Sequence, residues 1–376
     1  MQKMDKRVRK VVDSLRQLVL LGWVLWLNSV AAQDVYQVLR DRGQGFAEVI
    51  RGRALVFPRD HSAHSDFRVE WWYITANLQD NQGRDWGLQW TLFRQALSAE
   101  TDTEGWDSNQ LWMVHAALTT PEQHRFEQRF ARGGIGQAGV SLNSKEKTFS
   151  AWLDDWQWRS ESEGLFPSQL HFSVGESAIK MQLDSGYRWV LHGDQGYSRK
   201  SEHGQASYYY SQPKISIRGT VQVGDETIEL SGQAWMDREW SSQVLAENQS
   251  GWDWFSLHFD DGNKLMLYRL RHNTGANWIS GSWIDSSGQV RHLHNNDIEL
   301  IPEVMRTINP GPGKSLQLPL EWSVKLPNIG RSWRIKPLYD QQWMGTRIPY
   351  WEGVVLVEDD SGKSAGRGYM ELTGYD

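Results

Sequence analysis

Apolar and polar residues alternate through most of this chain, and no stretch sustains the 3.6-residue period of an amphipathic helix. Residues 70–94 read EWWYITANLQDNQGRDWGLQWTLFR: an aromatic strand, a Gly-containing turn, then an apolar strand ending in aromatic-Arg. Residues 251–271, GWDWFSLHFDDGNKLMLYRLR, repeat that layout around a DDG turn. A glycine turn between two alternating runs predicts a β-hairpin. Further strands are predicted at 111–118, 148–159, 169–174, 180–183, 187–191, 208–210 and 278–284. Short strands at this spacing predict an all-β chain, sandwich or barrel, with few helices. Residues 302–319 carry Pro302, Pro310, Pro312 and Pro319 with Gly311 and Gly313, and are predicted to form a surface loop.

The chain matches itself. GTVQVGDETIELSGQAWMDREW, from Gly219, and GVVLVEDDSGKSAGRGYMELTGY, from Gly353, align without a gap, placing Gly219 with Gly353, Gly232 with Gly366 and Met236 with Met370. Trp235 then falls with Tyr369 and Asp237 with Glu371. Two equivalent domains with matching opening and closing hairpins are therefore predicted. A length of 376 residues also exceeds what one core usually supports. The expected boundaries are 50–240 for the first and 241–376 for the second, each closing into a barrel or half-barrel able to hold an apolar ligand.

Composition narrows the setting. Lys3, Lys6, Arg7, Arg9, Lys10 and Arg16 precede an apolar run from Leu18 to Leu27 and the small residues Ser29, Val30, Ala31 and Ala32. That order predicts a secretory signal peptide over 1–32, a linker over 33–49 and a periplasmic or secreted product. The apolar run is shorter than the roughly 20 residues a membrane-spanning helix needs. A net charge of −6 supplies no basic stripe for nucleic acid or anionic lipid. With no cysteine there is no thiol nucleophile, disulfide or lipid anchor.

Several catalytic signatures are missing: no G-x-S-x-G elbow, Walker A loop or H-E-x-x-H helix. DHSAHSD, with Asp60, His61, His64 and Asp66, is better read as a loop before the first strand than as a metal site. What remains is carboxylates among aromatics. Alternation places Glu70 on one face with Trp72, Ile74, Ala76 and Leu78, and Asp253 with Phe255, Leu257 and Phe259. The two matches are one residue out of phase, so no equivalence between Glu70 and Asp253 is implied. A third cluster puts Trp235, Asp237 and Glu239 on one face, Arg238 and Trp240 on the other. An apolar-lined carboxyl is held protonated and suits general acid work, and indole faces stabilise a developing cation. The structural alternative is that Glu70 or Asp253 pairs with Arg68, Arg94 or Arg269, as buried carboxylates generally must. His203, in KSEHGQASYYYSQP, reads equally as a pocket group beside Tyr209 or as a loop histidine.

FPRDHSAHSDFRVEWWY, KSEHGQASYYYSQP, GQAWMDREWSS, GWDWFSLHFDDG, YWEGVVLV and GYMELTGY, in this order, resemble the AttH-like, carotenoid 1,2-hydratase (hydroxyneurosporene synthase) family, also described as predicted secreted hydrolases. The resemblance covers nearly the whole chain after the signal segment. It implies two tandem lipocalin-like β-barrels and, in the carotenoid branch, cofactor-free addition of water to a terminal double bond of an acyclic carotenoid. Similar sequences usually read MDHEW where this chain has Met236, Asp237, Arg238, Glu239 and Trp240. A guanidinium does not shuttle protons, so Arg238 puts carotenoid hydration in question for this member.

The leading expectation is a hydrophobic lipid or polyene ligand in a Trp-lined pocket, with Asp253 as first and Asp237 as second choice of acid. Glu70 or Glu239 would orient water. Trp71, Trp72, Trp240, Trp252, Trp254, His203, Tyr209 and Arg238 would bind the ligand, with no metal and no cofactor. The alternatives are a non-catalytic lipid carrier and a hydrolase using two separated carboxylates.

Overall fold

The computed structural model describes residues 37–40 and 43–375; the expected signal segment and residues 33–36, 41 and 42 of the expected linker lie outside the described residues. The only α-helical turn among them is Gln37–Arg40. The first sheet comprises β1 (Val69–Asp80), β2 (Asp85–Ala96), β3 (Gln110–Thr119), β4 (His124–Arg132), β5 (Ala138–Leu142), β6 (Phe149–Leu153), β7 (Trp156–Ser160), β8 (Ser168–Val174), β9 (Ser177–Asp184), β10 (Val190–Leu191), β11 (Tyr197–Arg199), β12 (Ala206–Val223) and β13 (Glu226–Ser241). The second comprises β14 (Gln249–Phe259), β15 (Lys264–His272), β16 (Trp278–Ile284), β17 (Val290–Leu293), β18 (Glu299–Gly311), β19 (Lys314–Leu326), β20 (Arg331–Pro337), β21 (Trp343–Met344), β22 (Tyr350–Glu358) and β23 (Ser364–Thr373).

Every named strand pairs antiparallel, and the sheets coil into two tandem lipocalin-like barrels. The first runs β4-β3-β2-β1-β13-β12-β9-β8-β7-β6-β5, with β3 and β4 packing across the interior on β6 and β8. The second runs β17-β16-β15-β14-β23-β22-β20-β19-β18. In each, the last strand returns to pair with the first: β13 with β1, β23 with β14.

That pairing tests the internal match residue by residue. Met236 faces Ile74 and Gly232 faces Leu78, while Met370 faces Phe255 and Gly366 faces Phe259. These two anchors are equivalent. Gly219 and Gly353 are not: Gly353 faces Met370, whereas Met236 faces Gln212 across β12. The first closing hairpin has longer arms and a bulge between Gln212 and Ile215, which moves its turn relative to the second. The same register places Asp253 where the first barrel has Trp72, since these face Leu372 and Arg238.

Residues 302–319, expected as a loop, form most of the β18–β19 hairpin. Prolines are tolerated there because β18 is an edge strand whose ladder shifts register between Pro302 and Val304 and between Ile308 and Gly311. Pro319 lies before Trp322, where pairing of β19 with β20 begins. Residues 148–159 divide into β6 and β7 around Asp154, whose φ of 53° makes the turn.

Tryptophans fill the first barrel. Trp72, Trp90, Trp156, Trp158 and Trp240 are fully buried in one apolar cluster, as in small barrels closed by side chains. One end is plugged by residues 59–67. Trp72 Nε1 donates to the His61 carbonyl at 2.9 Å, His61 Nδ1 meets the Tyr210 hydroxyl at 2.6 Å, and the His64 ring stacks on Trp240 with centroids 4.0 Å apart. Beneath the plug, Glu70 is ion-paired to both Arg94 and Arg238. Burial opposes ionisation of Glu70, but the two guanidinium groups outweigh it and hold its carboxyl well below the usual range. Arg94 also donates to the His64 and Phe67 carbonyls at 2.9 and 2.6 Å.

Glu70→Gln leaves two buried guanidinium groups without their countercharge, so it is expected to cost about 3–5 kcal/mol in urea unfolding at neutral pH. Because the Glu70 pKa is depressed by folding, its contribution is present above the unfolded carboxylate pKa and lost on acidification. The wild-type and variant curves should therefore converge at low pH, and a cost below 1 kcal/mol at neutrality would contradict this role.

Candidate functional site

The two-residue period of β13 gives its faces different chemistry. Met236, Arg238 and Trp240 point into the first barrel, and Trp235, Asp237 and Glu239 point to the face that meets the second. Beside them on that face are Trp71 and Tyr73 of β1 and Ser207, Tyr209 and Ser211 of β12. The second barrel answers with Trp252 and Trp254 of β14, Glu352 of β22 and Glu371 of β23. Hydrogen bonds cross directly within this group: the Trp254 indole donates to the Tyr209 hydroxyl at 3.0 Å, and the Tyr73 hydroxyl donates to Glu352 at 2.6 Å.

Four carboxyl groups gather here. Asp237 is 3% exposed and accepts from the Tyr209 hydroxyl at 2.5 Å, from the Trp235 indole at 2.6 Å and from the Ser211 hydroxyl. Glu239 takes an ion pair from Lys200 at 2.7 Å and a hydrogen bond from Ser207. Glu371 accepts from the Trp252 indole at 3.0 Å. Glu352 and Glu371 are cross-strand partners, which sets their side chains beside one another. Among the described residues, Glu352 Oε2 has no hydrogen-bond partner.

Among the described residues Lys200 is the one ammonium at this face and it pairs with Glu239, so Asp237, Glu352 and Glu371 are left to relieve their burial by retaining protons. Burial pushes Asp237 up to about 7 against its three donors, with the charge of Glu239 adding to the rise. Burial likewise pushes Glu371 up to about 8, opposed by the Trp252 bond and aided by Asp237 and Glu239. Glu352 is driven well above the carboxylate range by burial and then by Glu371. For Lys200 burial favours the neutral amine, but the Glu239 carboxylate and Tyr268 outweigh it and raise its pKa. At one edge the face meets solvent: Trp71, Phe93, Trp252 and Glu371 are partly exposed, while Tyr73, Trp254 and Glu239 are buried.

The other expected site residues lie elsewhere. Asp253 faces the second barrel's interior and is held by Arg269 and Arg271, each at 2.7 Å, and by the Tyr375 hydroxyl at 2.8 Å. Expected as the first-choice, apolar-lined acid, Asp253 is instead a member of an ion-pair network, as is Glu70, and so neither is an isolated proton donor. Arg238 is fully buried between Trp72 and Trp240, its guanidinium carbon 3.8 and 4.9 Å from their ring centroids. These two indoles therefore line an arginine on the opposite face from Asp237 and Trp252, not one pocket with them. His203 is exposed in a turn. A concavity of about 960 Å³ on the outer face of β7, β8, β9, β12 and β13 is lined by polar and charged groups such as Arg159, Lys180 and Arg218, and none of the four carboxyls borders it. Among the described residues no group of three or more His, Asp or Glu side chains is placed to hold a metal ion.

Glu352, Glu371, Lys200 and Tyr73 were not singled out by sequence as site residues. The signal for Glu371 was present, since it stands at the repeat position of Asp237; the others carry no local signature.

Acids whose pKa is raised by folding stabilise the native state fully below their unfolded value of about 4.3 and lose that contribution as pH rises through the folded value. Thermal midpoints are thus expected to fall between about pH 5 and pH 9, and Glu352→Gln should flatten the slope and raise stability at the alkaline end. A slope unchanged in this variant would show that Glu352 does not carry a proton in the folded protein.

The AttH-like family model matches residues 48–375. A crystal structure assigned as AttH from Nitrosomonas europaea is 34% identical, with a TM-score of 0.76, covering 88% of this chain and all of its own. Kievitone hydratase from Nectria haematococca shares the fold at 15% identity and a TM-score of 0.64, covering 90% of this chain and 98% of its own. CghA with Sch210972 does so at 11% and 0.53, over 90% of this chain and 98% of its own. No curated protein sequence matches. The family match over nearly all described residues and the two-barrel fold agree: the chain belongs to the AttH-like family.

Proposed function

We propose that this protein is a cofactor-independent hydratase acting on an apolar, unsaturated substrate that enters between the two barrels. The observation that carries this reading is the sequestered group of carboxyls held protonated near neutrality beside indole rings. Groups whose environments push their pKa values apart divide acid and base work. Glu371 is the acid: it is partly exposed, accepts a single hydrogen bond from Trp252, and holds its proton to about 8. Asp237 is the base, since three donors favour its carboxylate form and its pKa is about 7. Glu371 protonates an alkene carbon, the faces of Trp252 and Trp71 stabilise the resulting cation, water adds to it, and the proton it loses is taken up at Asp237. The kinship of fold with a hydratase supports this chemistry. The residues 1–32 support export, which would place the reaction in the periplasm or outside the cell.

The test is incubation of the purified protein with an acyclic carotenoid in ¹⁸O-labelled water, followed by mass spectrometry. One labelled oxygen per product is expected, with Glu371→Gln lowering the rate about 10²–10⁴-fold. The pH profile should rise as Asp237 ionises through about 7 and fall as Glu371 loses its proton through about 8. Stoichiometric binding with the polyene returned unlabelled would replace the hydratase by a carrier.

A further inference from the structure

Asp237 has a hydrogen-bonded connection that leaves the site. Its Oδ1 accepts from the Ser211 hydroxyl, and Ser211 Oγ lies 2.6 Å from His192 Nε2. The other nitrogen of that ring, Nδ1, is 2.9 Å from the Ser282 hydroxyl of the second barrel. Ser282 Oγ is in turn 3.3 Å from His292 Nδ1 on β17, and His292 is partly exposed. From Ser211 to Ser282 every member is buried, and each can donate and accept a hydrogen bond.

We infer that Ser211, His192, Ser282 and His292 form a proton relay that connects Asp237 to solvent across the two barrels. This rests on the role proposed for Asp237. Through one turnover the alkene gains the Glu371 proton, the product gains hydroxide from water, and Asp237 gains the remaining water proton. For the next cycle Asp237 passes its proton to Ser211 Oγ, Ser211 gives one to His192 Nε2, and His192 Nδ1–H passes one to Ser282. Ser282 delivers the last to His292 Nδ1 and so to water, while Glu371 reloads at the open edge. The sum is alkene plus water to alcohol. Burial, then the charges of His292 and Lys200, keep His192 neutral, the form that accepts at one nitrogen while donating at the other. The Tyr209 ring packs beside the His192 ring, with centroids 4.2 Å apart, and the bonds to Ser211 and Ser282 hold both ring nitrogens.

Ser282→Ala cuts the chain without touching Asp237. In stopped-flow infrared spectroscopy on mixing into D₂O, the Asp237 carboxyl band, assigned by its loss in Asp237→Asn, should deuterate at least about tenfold more slowly in Ser282→Ala, and at the wild-type rate in Ser282→Thr, which keeps the hydroxyl. In turnover, Ser282→Ala should lower kcat with KM unchanged, and added imidazole buffer should restore it. Equal deuteration rates in wild type and a folded Ser282→Ala would overturn the relay even if hydration is observed. Slowed deuteration in a protein that hydrates nothing would keep the relay and remove the hydratase reading.

Discussion

The period of two along β13 is the constraint on which the site depends. One strand, GQAWMDREW, must serve two interfaces at once, because its inner face closes the first barrel and its outer face is covered by the second. Alternation then forces adjacent charges apart. Arg238 goes inward, where Glu70, Trp72 and Trp240 enclose it; Asp237 and Glu239 go outward, where the second barrel removes them from water.

The two faces resolve buried charge in opposite ways. Inside the first barrel the Glu70 carboxylate meets two arginines, and the plug of residues 59–67 supplies further carbonyl acceptors, so the network is ionised and structural. The second barrel's interior does the same with Asp253, Arg269 and Arg271. Between the barrels Lys200 pairs with Glu239, while Asp237, Glu352 and Glu371 have no ion pair among the described residues. Burial without compensating charge is relieved by holding protons, which is what general acid chemistry needs. The barrel interiors hold ionised pairs, and their shared face holds protonated carboxyls.

How far this was legible differs by element. The hairpins at 70–94 and 251–271 follow from alternation around a glycine turn, and Met236 and Met370 mark equivalent positions because a buried ladder pins register. Gly219 and Gly353 matched in sequence alone, since a bulge and unequal arms change which residues face each other without changing residue type. The β18–β19 hairpin was hidden by its prolines, which an irregular edge strand tolerates. β4 was missed because HRFEQRFAR is charged and mostly only half-buried.

The sequence by itself determined the strand content, the two related halves, and which side chains share a face, because a period of two is a local property of the backbone. It also resembled the family to which the chain belongs. Tertiary structure alone decided which faces meet. Glu70 and Asp237 both lie on strands dense with aromatics, yet one is ionised beside arginines and the other is held up near neutrality. A pKa is set by the groups that surround a carboxyl in space, and Arg94, Tyr209, Ser211, Glu352 and Glu371 reach these positions only through the pairing of strands and the stacking of the two barrels.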